Sequence, residues 1–175
     1  MSNSTKKLCI NALGIALFVV FSLCLQVPVF ENYYLCLGYV AMAFYCYYLG
    51  PLSGTTVGVA GVIIYCLLIN GLRGMPGWSV GNLVIGLVVG ITCKLTLNMK
   101  NEYIRHLIIG ISIVISTAVA MLGAKSLVEM FLYSQPFLFR AAKNFYAFVA
   151  DSVVMIISLP ICAGLKGVLK KHHLI

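Results

Sequence analysis

Long apolar runs separated by short polar, glycine or proline breaks dominate this chain. A membrane-spanning helix needs about 20 mostly apolar residues, and the runs match that length. The first extends over about 8–27 and stops before Pro28. Residues 32–72 hold no charged side chain. That stretch is long enough for two crossings, with Gly50-Pro51 as the break between them. A fourth run covers about 78–97, and a fifth starts near Ile104 and continues to at least Leu122. The last covers about 141–169 and is interrupted by Asp151 and Pro160. None of the runs alternates apolar and polar residues as outer-membrane strands do. The pattern predicts an all-α integral membrane protein: one domain, residues 1–175, folded as a bundle of six transmembrane helices.

Composition agrees. The chain is 62% hydrophobic and 9% charged, against roughly 25% charged in soluble domains, and its mean hydropathy is +1.04. No separate soluble domain fits in what remains. The net charge of +8 does not point to nucleic acid, because the cations cluster at helix ends and form no basic stripe with interleaved aromatics. They orient the bundle instead. With the N-terminus inside, Lys6, Lys7, Lys94, Lys100, Arg105, Lys166, Lys170 and Lys171 face the cytoplasm. Arg73, Lys125, Arg140 and Lys143 face out. Eight of the 12 cations inside favours cytoplasmic N- and C-termini. Tyr33 and Tyr34 suit the outer interfacial belt. The seven cysteines are scattered without C-x-x-C spacing and read as small apolar residues, not as a metal or redox set. The first run lacks a small-residue cleavage site, so it reads as a helix and not a signal peptide.

Candidate chemistry concentrates in the outer half. Arg140, Asn144, Ala147 and Asp151 fall at i, i+4, i+7 and i+11, one face of one helix. Asp151 reads as the one acid inside a spanning run, which makes it a functional-site candidate by default; the alternatives are a helix-packing anchor, paired with a neighbouring helix's hydroxyl, or a partner for Arg140. At about 1.5 Å per residue it lies roughly 16 Å deeper than Arg140, at or below the floor of an outward pocket. Trp78 and Asn82 share a face, and so do Lys125, Glu129 and Tyr133. Together these faces suit a cavity for a small polar ligand with some aromatic surface. Trp78 also suits an interfacial anchor, Asn82 suits interhelical glue, and Lys125–Glu129 suits a solvated pair. The segment 71–78, carrying Arg73 and three glycines before Trp78, reads as a lid or a tight connection. Outer cations outnumber outer acids, favouring a ligand rich in acceptors such as a carboxylate. Trp78, Tyr133 and Tyr146 suit stacking on a ring.

Small residues add a second signal. Ala12-x-x-x-Ala16 flanks Gly14, Gly54-x-x-x-Gly58 precedes Gly61, and Gly86-x-x-x-Gly90 lies in the fourth run. Such spacing lets helices approach closely in lipid. Phosphate-loop, zinc-protease and nucleophile-elbow motifs are absent, so the chain carries no ATPase or hydrolase of its own.

Short passes, a basic N-terminus, Ala12-x-x-x-Ala16, the Gly50-Pro51 break before Leu52–Gly61, and Trp78–Gly90 after a glycine-rich loop form a combination. It resembles, over essentially the whole chain, the substrate-binding S component of energy-coupling factor (ECF) transporters. The resemblance implies no enzyme activity and no cofactor bound by this chain. It implies a vitamin or related micronutrient captured outside a bacterial cytoplasmic membrane. It implies a transmembrane coupling protein and two cytoplasmic ATPases, which use the ATP. By the same resemblance Ala12 and Ala16 would face the coupling protein, the loops after the first, third and fifth passes would gate the site, and the S component would topple in the membrane to deliver its load. The ligand contacts expected are Arg73, Trp78, Asn82, Lys125, Glu129, Tyr133, Arg140, Asn144 and Asp151. Riboflavin, thiamine, biotin and folate are not distinguished. The competing reading is a stand-alone ion- or proton-coupled carrier using Asp151.

Overall fold

The computed structural model describes the backbone of residues 3–30, 33–69 and 71–171, and side chains over 5–25, 36–69 and 71–165. Helix α1 (Asn3–Cys24) leads into an antiparallel hairpin, β1 (Gln26–Phe30) and β2 (Tyr33–Cys36). Then come α2 (Gly38–Leu49), α3 (Pro51–Leu68), α4 (Met75–Leu95) and α5 (Glu102–Ala118). A π-helical segment (Val119–Lys125), α6 (Ser126–Tyr133) and α7 (Phe137–Lys171) complete the chain. Apart from the hairpin, the described elements are all helical.

Among the described residues, five helical runs are long and apolar enough to cross a membrane: Thr5–Cys24, Pro51–Leu68, Met75–Leu95, Glu102–Tyr133 and Phe137–Leu165. The expected second crossing differs. Helix α2 has 12 residues, about 18 Å of helix, against about 30 Å of hydrocarbon. The chain before it goes into the hairpin instead. Protein covers this short helix: Tyr39, Met42 and Cys46 are fully buried, and α2 packs on α1, α3, α4 and α7.

The break at Gly50-Pro51 is as expected. Gly50 has φ 85, a left-handed conformation that glycine adopts without steric cost. Pro51 opens α3, where its missing N–H costs nothing. Glycines then close the α3–α4 seam. Side chains at Gly86 and Gly90 would collide with the backbone of Thr55 and Pro51, so these helices touch almost backbone to backbone. Gly54 and Gly58 admit Cys46 and Met42 of α2 in the same way.

The fifth run is longer than its apolar residues suggest. The π-helical segment carries α5 into α6 without a break, and Ser126 Oγ caps the widened turn by donating to Met121 O at 3.0 Å. The run therefore reaches Tyr133 and includes Glu129, which is buried. Asp151 is thus not the only acid within a spanning run. Connectivity puts the hairpin, the 69–74 link and the 134–136 turn at one end of the bundle. Gly50 and the 96–101 link lie at the other.

Candidate functional site

At the hairpin end, α4, the π-helical segment, α6 and α7 bring their polar side chains together. Asn144 is the centre of one cluster. Its Nδ2 donates to Ser126 Oγ at 3.0 Å and to Glu129 Oε2 at 2.9 Å. Arg140, one turn outward on the same face of α7, approaches Glu129 Oε2 at 3.9 Å. Its guanidinium lies 3.8 Å from the centroid of the Tyr133 ring. Arg140 Nε and Gln135 Oε1 are buried without a protein partner, and such groups call for a water or a ligand.

Gly77, in the first turn of α4, makes room for this cluster. The Cγ atoms of Lys125 and Glu129 lie 3.2 and 3.0 Å from where a side chain would begin there. Lys125 is also the cation whose charge bears on Asp151. It therefore stands between the Asn144 cluster and a second, deeper one. In the deeper one Trp78 Nε1 donates to Tyr39 Oη at 2.8 Å, and Tyr39 Oη donates to Asn82 Oδ1 at 2.7 Å. Asn82 Nδ2 donates to Gly58 O at 3.0 Å. Asp151 lies against the Tyr39 hydroxyl. Nearer the surface, a cavity of about 270 Å³ is lined by Leu72, Arg73, Pro76, Leu132 and Tyr133.

The expected residues thus divide three ways. Lys125, Glu129, Tyr133, Arg140 and Asn144 meet. Trp78, Asn82 and Asp151 form the deeper group, and Arg73 stands at the mouth with its charge reaching Tyr133. Arg140 pairs with Glu129 and not with Asp151. Asn82 spends both ends of its amide on protein, the helix-glue alternative. The expected 71–78 loop is shorter, because α4 already begins at Met75 with Pro76 in its first turn, and Trp78 belongs to the helix. The hairpin after α1 packs along α7. On α1, Ala12 and Ala16 are exposed beside Leu13, Leu17 and Val20, while Gly14 turns inward against the Tyr45 ring. Gln26, Glu31, Asn32, Tyr33, Tyr34, Asn70, Lys166, Lys170 and Lys171 lie outside the described side chains.

Sequence reasoning missed Tyr39, Ser126 and Gly77. Gly77-x-x-x-Gly81 repeats the small-residue spacing already noted lower in α4, and it marks where the π-helical segment and α6 come close. Tyr39 carries no such signal, being one aromatic in an apolar run.

A membrane-embedded bundle with charged and amide groups gathered beneath short loops at one end is a substrate-binding membrane protein. The chain matches the family model described as ECF-type riboflavin transporter, S component, over residues 2–167, and it belongs to that family. The family is one of vitamin-transporter binding components, not of enzymes. No curated protein sequence matches the chain.

Proposed function

We propose that this chain captures riboflavin at the outer face of a bacterial cytoplasmic membrane and passes it inward in complex with a coupling protein and two ATPases. The observation that carries this reading is the match to a riboflavin S component family over residues 2–167. The Asn144 cluster supports it: Arg140, whose buried Nε has free hydrogen-bonding capacity, lies over the Tyr133 ring. A flavin ring offers uncharged carbonyl and nitrogen acceptors together with a flat face. That suits an excess of cations without requiring a carboxylate. Arg140, Asn144, Lys125 and Glu129 would take the polar edge, Tyr133 and Trp78 the ring, and Arg73 the entrance. Asp151 and Asn82 would form the floor.

Both termini are placed in the cytoplasm on the charge distribution. Ala12 and Ala16 are the docking face for the coupling protein. Their exposure on α1 supports that role, since small residues let a partner helix approach closely.

Titration of the detergent-purified protein with riboflavin, followed by quenching of flavin fluorescence, tests the reading. Saturation near one riboflavin per chain is expected, and no quenching at micromolar concentration would sink it. Ala12→Trp with Ala16→Trp should abolish assembly with the ATPase module while binding persists. Uptake by vesicles without ATPases, lost in Asp151→Asn, would favour the stand-alone carrier instead.

A further inference from the structure

Tyr39 joins more of the bundle than any expected ligand contact does. It sits in the first turn of α2 and is fully buried. Its hydroxyl accepts from Trp78 of α4, donates to Asn82 of α4, and has Asp151 of α7 alongside. Asn82 extends the chain of bonds to the backbone of α3 at Gly58. The other edge of Tyr39 faces α1: its ring meets Phe18 edge-on, with centroids 5.9 Å apart and planes at 68°. Phe18 is fully buried. It is held where side chains at Gly38 and Gly61 would collide with it.

A phenol hydroxyl has one proton to give. Here Asn82 receives it, while the Asp151 carboxyl lies within reach as a second acceptor. Two discrete arrangements of one bond are therefore available. A ligand that engages Trp78 or Asp151 changes which of them is favoured. Close-packed interiors transmit such shifts because they have no slack to absorb them. Phe18 packs directly on the Tyr39 ring, and the opposite face of its helix carries exposed Ala12 and Ala16. We propose that Tyr39 is the positioning residue that ties ligand occupancy to the placement of α1, and so to affinity for the coupling protein. The proposal rests on the function proposed above.

The test uses Tyr39→Phe, which keeps the ring against Phe18 and deletes only the hydroxyl. Affinity for the detergent-purified coupling protein–ATPase module is measured with and without saturating riboflavin. The wild-type ratio should lie in the range of roughly 5- to 150-fold that is usual for coupled sites. In Tyr39→Phe the ratio should collapse to within about twofold of unity, while riboflavin still binds the isolated variant. Phe18→Leu breaks the contact from the α1 side and should give the same collapse, which covers the case of a Tyr39 variant that fails to fold. A variant that folds, binds riboflavin and keeps the wild-type ratio overturns the proposal. So does a wild-type ratio of one. A wild-type protein that binds neither riboflavin nor the module removes the proposed function itself, an outcome distinct from either.

Discussion

The two glycine faces of α4 have opposite uses. Gly86 and Gly90 admit backbone: Thr55 and Pro51 of α3 fill the space, with one buried hydroxyl, Thr55 Oγ1, and no charged group at the contact. Gly77 and Gly81, about 180° around the helix, admit side chains: Lys125, Glu129 and Met121. The first face is a close backbone contact without charge. The second faces charge: Lys125 and Glu129 lie against Gly77, and Arg140, whose Nε has no protein partner, lies beside Glu129. The same residue type at the same spacing thus builds a seam in one half of a helix and a recess in the other. What separates them is the chemistry of the facing element. Where α3 offers Thr55 and Pro51 the helices fuse; where the π-helical segment and α6 offer Lys125 and Glu129, charged side chains are brought into the bundle beside the first turn of α4.

Substitutions can break this contrast. Gly90→Leu should have the largest effect. It forces a side chain into Pro51 backbone, and overpacking of this kind costs about 1–3 kcal/mol or more. Melting temperature and yield should fall, while riboflavin affinity per folded molecule holds. A variant that is stable but binds nothing would place the ligand at the α3–α4 seam instead. Asn144→Ala should come next. It removes the 2.9 Å donor to Glu129, leaving a buried carboxylate less satisfied, at about 1–3 kcal/mol; stability and riboflavin affinity should fall together. Arg140→Ala should weaken riboflavin binding by about 10- to 100-fold, the usual worth of a hydrogen bond to a charged group, and should also lower the melting temperature, because buried Glu129 loses its cation. Unchanged affinity in both variants would move the site off α7. Gly123→Ala should do least. No atom lies within 4 Å of the added methyl, so melting temperature and affinity should both stay near wild type.

How much of this could be read from the sequence depends on range. Five of the six expected crossings followed from the apolar runs, since burial in lipid is a property of each segment alone. The Gly50-Pro51 break and the Gly86–Gly90 contact were likewise local. The stripe of Arg140, Asn144 and Asp151 was legible because helical spacing fixes which residues share a face. Its partners were not. Pairing Arg140 with Glu129, and Asp151 with Tyr39, depends on which helix lies opposite, and periodicity carries no such information. The hairpin was missed because Gln26 and Val27 read as the end of the first apolar run and Tyr33–Cys36 as the start of the second, so neither short strand stood out from its neighbouring run. The end of the fifth run was left open beyond Leu122 because Lys125 and Glu129 look like the end of a crossing. They are held inside the bundle by Gly77 and Asn144, both distant in sequence.

The π-helical segment sets the phase of everything after it. Its bonds span five residues where an α-helix spans four, so Val119–Lys125 spends about one residue more per turn than its neighbours. Deleting a single residue there would restore an unbroken α-helix and swing α6 by about 100°. Lys125, Glu129 and Tyr133 would then leave the recess together and face lipid. The placement of three binding candidates thus hangs on a one-residue surplus in a stretch with no ligand contact of its own before Lys125. Insertions and deletions in that stretch should act as all-or-nothing changes to recognition, while substitutions at its exposed position Val119 pass with little effect.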